Sequence, residues 1–286
     1  METAHDILVA LTERYAFGEV AALVPAVEPL CAFGQGLLDL DAEDFGAVTG
    51  GPVPAGLVAR AAACRMPQEP RERERGALGS LLPVYRLLLE VIAARWRRRE
   101  TSALVAAIHI TSEYLPLLAW ESTLGHAGDP LRLPADVAGP DSAWGDFDSR
   151  ECPHNGPERS AAHAAVRVAA GPGVAWRGYL DRQHSAVAHA FAVCAGECRH
   201  PCTVLTRHPA DVAELRRRCR TALAYESAPI VKLRHAAPVG HGFGVPSPAE
   251  VLAAWERSRH QLARLEPGVL AEDGYPLPGL PSLFSA

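Results

Sequence analysis

Residues 101–124 are the stretch that most constrains how this chain can fold. The segment TSALVAAIHITSEYLPLLAWESTL is almost entirely apolar and has the length of a long helix. A helix that is apolar on every side is normally buried, so its few polar groups must pair with each other or line a pocket. The exceptions to the apolar run are His109, Glu113, Tyr114, Trp120 and Glu121. His109 and Glu113 are four residues apart and therefore share one face of the helix, with Tyr114 beside them.

The remaining chain also carries apolar residues at helical spacing, and no segment alternates convincingly as a strand would. Further helices are predicted within residues 4–40 (two helices), and at 57–64, 76–100, 160–170, 174–195, 211–227, from 229 to the proline at 238, and at 248–266. Residues 125–157 are predicted to form a long irregular excursion, and 267–286 an irregular tail. We therefore expect an all-α protein, a single domain of about eight helices.

Charge and composition restrict the classes of partner. The chain has 286 residues and a net charge of −5, which does not favour nucleic acid as the main partner. A basic run, RWRRR at residues 95–99, is interpreted as the solvated end of a helix. The polar amino terminus does not resemble a signal peptide, and we expect a cytoplasmic protein without a membrane segment. Dinucleotide, P-loop, G-x-S-x-G and H-E-x-x-H motifs are absent.

Seven cysteines without a secretory signal are more typical of thiols or metal ligands than of a disulfide framework. The segment CAGECRHPC brings Cys194, Cys198, His200 and Cys202 close together, and Cys152 and His154 offer two further ligands. Thiolates and imidazoles at such spacing could bind zinc, but plain thiols or a local disulfide are favoured over a zinc site. A helical zinc-binding or small-molecule-binding protein is thus one functional alternative.

Residues 230–247, IVKLRHAAPVGHGFGVPS, form the second informative stretch. Pro229 suits the first turn of a helix and Ser227 is a candidate cap, whereas Pro238 and three glycines end the helix soon after His235. A histidine near a helix end, followed by a small-residue loop, can hold a flat cofactor from one side. His235 on the helix is the better ligand candidate, and His241 in the loop is a candidate pocket contact.

The combination of Arg234, His235 and Val239 with the following glycine-rich loop resembles the proximal segment of the tryptophan 2,3-dioxygenase-like superfamily of histidine-ligated haem oxygenases. The family's W-R-x-x-H-x-x-M-V motif leads into a glycine and threonine loop, and this chain lacks the Trp and has GFGVPS in the loop. The resemblance implies the superfamily's helical fold, with haem b as cofactor and His235 as the axial iron ligand. It places Gly242, Gly244 and Ser247 near the haem and substrate, with Ser247 as a hydroxyl donor.

By the same resemblance, the helix at residues 101–124 would cover the opposite face of the haem. His109 would then serve as a distal acid–base group, with Glu113, Tyr114 and Trp120 around the substrate. Arg234 and His241 would contact a haem propionate, and Arg234 alternatively a substrate carboxylate. The implied activity is insertion of oxygen, from O₂ or peroxide, into an aromatic amino acid of secondary metabolism. Tryptophan derivatives are favoured over tyrosine derivatives, and a homo-oligomer is compatible with this hypothesis.

Overall fold

A computed structural model describes residues 10–11, 14–40, 53, 55–64, 80–125, 137, 139, 184–197, 207, 209–237 and 242–265. All regular structure within these residues is helical, as predicted. The α-helices are α1 (Phe17–Leu23), α2 (Glu28–Leu38), α3 (Ala55–Ala63), α4 (Leu82–Arg97), α5 (Thr101–Leu124), α6 (His184–Glu197), α7 (Val212–Glu226), α8 (Pro229–Ala236) and α9 (Pro248–Leu265). Two short 3₁₀ turns, Pro25–Val27 and Pro209–Asp211, precede α2 and α7.

Helix α5 is the centre of the fold, in agreement with its apolar sequence. It packs against α4, α6, α7 and α8, while α7 also packs against α6 and α9. By length and composition α5 would also suit a membrane span, but 61% of its most apolar window is buried inside the protein. The core helix of a protein can have the same length and apolar composition as a membrane span, and the helices packed around α5 account for its burial.

The ends of α5 are fixed by local chemistry. Gly125 adopts a left-handed conformation with φ of 75°, and its N–H donates to the Glu121 carbonyl at 2.8 Å. Glycine accepts this conformation without the steric penalty of a side chain, which is why the helix stops there. The Glu121 carboxylate accepts hydrogen bonds from the Ser80 hydroxyl and from the Leu81 N–H at 2.9 Å. Glu121 is therefore paired, and it ties α5 to the start of α4, which begins at Leu82 with Pro83 in its first turn.

The core between these helices is built from large, fully buried side chains. Trp120 and Phe191 meet edge to face, with ring centroids 6.4 Å apart. Trp255, Tyr85 and Tyr225 are also fully buried. Arg218 is buried as well, and its guanidinium donates to the Leu118, Ala119 and Leu265 carbonyls. These bonds satisfy its hydrogen-bond donors where α7 meets α5 and α9.

The basic run at residues 95–99 was interpreted as a solvated helix end, but two of its arginines form ion pairs and are mostly buried. Arg95 pairs with Asp39 at 3.0 Å and with Glu100, and Arg98 pairs with Glu100 at 2.6 Å. Arg98 also donates to the Tyr15 carbonyl. The side chains of Arg95 and Arg98 are only 16% and 23% exposed. This run therefore fastens the α1–α2 segment to the end of α4.

Helices α8 and α9 begin in different ways. The predicted cap at Ser227 is wrong: Ala228 is the N-cap of α8 and offers no side-chain bond. The Ile230 N–H instead faces the Ser258 hydroxyl on α9 at 3.4 Å, so a neighbouring helix supplies the acceptor. Helix α9 carries a capping box, as its sequence predicts. The Ser247 N–H donates to the Glu250 carboxylate at 2.7 Å, and the Glu250 N–H donates back to the Ser247 hydroxyl at 3.3 Å.

Several predictions fall outside the described residues. They include the helix at 160–170, nearly all of the excursion at 125–157, the tail at 267–286 and the first half of the helix at 174–195. The helices predicted at 57–64, 76–100, 211–227 and 248–266 are found as α3, α4, α7 and α9, and the largest shift is the start of α4 at Leu82. The prediction of a single domain is compatible with the packing of α4 to α9 around α5 and remains a prediction for the whole chain.

Candidate functional site

Helices α5 and α8 pack together and bring the two informative stretches of sequence into contact. The guanidinium Nη1 of Arg234 donates a hydrogen bond to Nε2 of His109. The same His109 nitrogen lies 3.0 Å from the Glu113 carboxylate, one turn further along α5. Residues 125 positions apart in the chain therefore form one polar cluster, which we call the His109 cluster: His109, Glu113 and Arg234.

The His109 imidazole can serve only one partner at a time through Nε2. When the proton sits on Nδ1, Nε2 accepts a hydrogen bond from Arg234, and when Nε2 is protonated it donates to Glu113. Nδ1 is buried and has no hydrogen-bond partner among the described residues. The side chain of His109 is 19% exposed and that of Glu113 is 40% exposed. The cluster can therefore adopt two tautomeric arrangements, one in which Nε2 is bonded to Arg234 and one in which it is bonded to Glu113.

Tyr114 lies on the interior side of α5, close to Tyr85 of α4. The pKa of Tyr85 is raised well above its usual value by burial, and the nearby Tyr225 and Tyr114 raise it further. Burial also raises the pKa of Tyr114, with a smaller contribution from the charge of Glu113. The Tyr85 hydroxyl donates to the Thr111 carbonyl. The neutral phenols of Tyr85, Tyr114 and Tyr225 thus form an interior group that the sequence interpretation did not identify.

His235 has a very different environment from that of His109. Its side chain is exposed, and it makes no hydrogen bond or ion pair within the described part of the chain. The Gly242 N–H donates to the Ala237 carbonyl at 3.1 Å, so Gly242 lies next to the end of α8. His241 lies outside the described residues. His235 is thus an imidazole whose ring nitrogens are available to a ligand.

Apolar side chains stay exposed just beyond His235. Of the four large apolar side chains exposed in the described regions, three are Phe243 at 101%, Val245 at 56% and Leu252 at 37%. Exposed apolar groups gathered in one segment often mark a binding surface. We call His235, Phe243, Val245 and Leu252 the His235 surface. Only the histidine was predicted as a site residue, because the sequence GFGVPS does not show which of its side chains are exposed.

The other predicted site residues have mixed placements. Trp120 is fully buried against Phe191 and belongs to the core, so it does not line a substrate pocket. The Ser247 hydroxyl donates to Glu250 at 2.8 Å and is used as the helix cap of α9. Gly242 is partly buried and Gly244 is exposed, in the loop before that cap.

The zinc alternative involves mainly residues outside the described part. Cys194 is buried in α6, whereas Cys198, His200 and Cys202 lie beyond the described end of that helix. No group of three or more His, Cys, Asp or Glu side chains suited to a metal ion occurs among the described residues. The zinc alternative therefore stays a prediction.

A haem ligand must offer a ring nitrogen that is both unbonded and accessible, and the two histidines differ because Nδ1 of His109 is buried whereas the His235 side chain is exposed. Nε2 of His109 is bonded to Arg234, and a porphyrin ring cannot lie between α5 and α8 without separating that pair. The arrangement with His109 and His235 on opposite haem faces therefore does not fit these contacts. His235 does fit the ligand role, because its side chain is exposed and makes no hydrogen bond or ion pair among the described residues.

Comparisons with known proteins add no relative. No family model matches the sequence, and neither the curated proteins nor the solved structures contain a significant match. The functional argument therefore rests on the residues of this chain.

Proposed function

We propose that the protein is a haem b-dependent oxygenase acting on an aromatic amino acid, with His235 as the axial iron ligand. The observation that carries the proposal is the exposed imidazole of His235, which has no partner among the described residues and is followed within ten positions of the chain by exposed Phe243 and Val245. An imidazole and an adjoining apolar surface are what a flat, largely apolar, iron-containing cofactor requires of a protein. When bound, the haem supplies the oxygen chemistry.

The roles of the other residues follow from their contacts. Phe243 and Val245 would lose exposed apolar area on binding, at about 25 cal/mol per Å² covered. Arg234 is held by His109, so its role is to fix the position of α8 under His235, and it is not placed as a propionate contact. Glu113 reaches solvent and would exchange protons for the His109 cluster. The choice of an aromatic amino acid, with tryptophan derivatives first, rests on the sequence resemblance.

A hemin titration of the purified full-length protein tests the proposal. We expect one hemin per chain and a Soret band of histidine-ligated haem. His235→Ala removes the ligand and should abolish this band or weaken hemin binding by at least about tenfold, since losing one good contact costs about 1.4 kcal/mol or more. His260→Ala, an exposed histidine on α9, is the matched control and should bind like the wild type.

The outcomes separate the hypotheses. Absence of hemin binding by the wild type would contradict the proposal, and so would a His235→Ala variant that binds hemin like the wild type. Stoichiometric zinc in the purified protein together with no hemin binding would favour the alternative at Cys194.

If hemin binds as expected, L-tryptophan should perturb the Soret band, and mass spectrometry after addition of peroxide should detect a product heavier by one or two oxygen atoms.

A further inference from the structure

A groove between α7 and α9 is lined by arginines, on parts of these helices that do not belong to either histidine region. Its volume is about 490 Å³. The charged and polar lining consists of Arg216, Arg217, Arg220, Thr221, Gln261 and Arg264. The spacing of the α7 residues places them on one helix face, and Gln261 and Arg264 are three residues apart on α9. The packing of α7 against α9 therefore gathers four guanidinium groups around one groove.

The groove carries an excess of positive charge. No Asp or Glu is among the described residues that line it. Arg217 is neutralised from outside the groove, because it pairs with Glu214 at 2.6 Å. Arg220 donates its Nε to the neutral Gly196 carbonyl at 2.6 Å, and it forms no ion pair within the described part of the chain.

Two of the guanidinium groups also retain donors for a ligand. The terminal nitrogens of Arg220 have no partner among the described residues. The Arg264 guanidinium likewise makes no contact there, although its backbone carbonyl accepts from Arg217 at 2.8 Å. The donors of a guanidinium fork match the spacing of oxygens on a phosphate group, so these two side chains are suited to bidentate bonds.

The remainder of the groove is suited to a small molecule. Ala213 and Ala224 also line it, and they leave room because they have no side chain beyond Cβ. The Gln261 side-chain oxygen is buried without a hydrogen-bond partner within the described residues, so it is free to accept a ligand hydroxyl. A volume of about 490 Å³ lies in the usual range for sites of small molecules.

We propose that this groove binds a phosphorylated small molecule. The guanidinium groups of Arg220 and Arg264 supply two positive charges, which a phosphate group can balance and a single carboxylate cannot. A polynucleotide is disfavoured because the chain has a net charge of −5 and the groove is short. The proposal does not depend on the function proposed for His235, because the groove shares no residue with the His235 surface.

Calorimetric titration of the full-length protein with sodium pyrophosphate at low salt tests this proposal. The wild type should bind one pyrophosphate, and raising the salt concentration should weaken binding. Arg264→Gln removes a side chain with no contacts in the described fold, and should weaken binding about tenfold or more. The double variant with Arg220→Gln should weaken binding by at least about 30-fold. Arg86→Gln, an exposed arginine on α4, is the matched control and should bind like the wild type.

Three results would overturn the proposal. The first is a wild-type protein that does not bind pyrophosphate at about 1 mM, the concentration that corresponds to a binding free energy near −4 kcal/mol. The second is equal weakening by Arg86→Gln and Arg264→Gln, which would indicate nonspecific attraction. The third is tighter binding of single-stranded oligonucleotides than of pyrophosphate, with affinity rising with length, which would identify a polynucleotide surface.

Discussion

His109 and His235 lie on two helices that pack against each other, yet they have opposite environments. His109 is mostly buried and bonded to Arg234 and lies next to Glu113, whereas His235 is exposed and has no partner among the described residues. A bonded imidazole contributes to the packing of α8 on α5, and it must lose those bonds before it can bind anything else. The comparison therefore indicates a structural role for His109, and it supports the proposal that His235 binds a ligand.

Breaking the His109 cluster should have the largest effect on stability. His109→Ala and Arg234→Ala each remove a partly buried, charge-assisted hydrogen bond, so we expect each to lower the free energy of unfolding by about 2 kcal/mol. In urea denaturation the double variant should cost less than the sum of the single variants, with a coupling energy of about 1 kcal/mol. Strictly additive losses would show that the two side chains do not interact.

The capping box at Ser247 and Glu250 should have the next largest effect, because it ends the loop that follows His235. Ser247→Ala should lower the free energy of unfolding by about 1 kcal/mol. The hydrogen bonds from the Ser247 backbone and hydroxyl lower the pKa of Glu250 below its usual value. Because the pKa of Glu250 is lower in the folded state, its ionised carboxylate stabilises the fold at pH values above the unfolded pKa of about 4.3. This contribution disappears as the pH falls through the folded pKa.

Melting curves of Glu250→Gln at several pH values measure this contribution. The variant should melt below the wild type at about pH 7, and the two should converge as the pH falls through the lowered folded-state pKa of Glu250 and the wild-type carboxyl becomes protonated. A melting difference that persists unchanged at acid pH would mean that the Gln side chain disturbs α9 for another reason. Hemin binding by this variant would also report whether the loop position affects the His235 surface.

Removing the His235 side chain should have the smallest effect on stability. His235→Ala should change the free energy of unfolding by no more than about 0.5 kcal/mol, because an exposed side chain without partners contributes little. His109→Ala in the same urea series provides the contrast. A loss of 2 kcal/mol or more on His235→Ala would show that His235 is a structural residue with an unrecognised partner, and would weaken its assignment as a ligand.

The local parts of the fold could be predicted from the sequence. The bounds of α5 coincide with its apolar run and with Gly125. Helix α9 begins at Pro248, directly after Ser247, which forms a capping box with Glu250. Each of these signals lies within a few residues of the structure it determines. The start of α8 was predicted from Pro229 for the same reason, but the wrong cap was assigned, since the acceptor for Ile230 comes from Ser258 on another helix.

The contacts that define the candidate sites are non-local, so the sequence could not supply them. Arg234 meets His109 only because α8 packs on α5, and this contact replaces the predicted arrangement on opposite faces of a cofactor. Two arginine-rich segments, RWRRR at residues 95–99 and RRRCR at residues 216–220, look alike in sequence. Arg95 and Arg98 nevertheless pair with acidic side chains, whereas Arg220 donates to a neutral carbonyl. Helix packing, which single-sequence patterns do not specify, decides between these outcomes.

Rescue of a ligand-deficient variant by free imidazole tests the central claim most directly. His235→Gly should open a space at the proposed iron ligand while leaving the His109 cluster intact. Reconstituted with hemin, the variant should lack the Soret band of histidine-ligated haem, and adding imidazole should restore that band. His109→Gly, the matched control, should show the wild-type band without imidazole. A wild-type Soret band in His235→Gly, or its loss in His109→Gly alone, would contradict the assignment of His235 as the axial ligand.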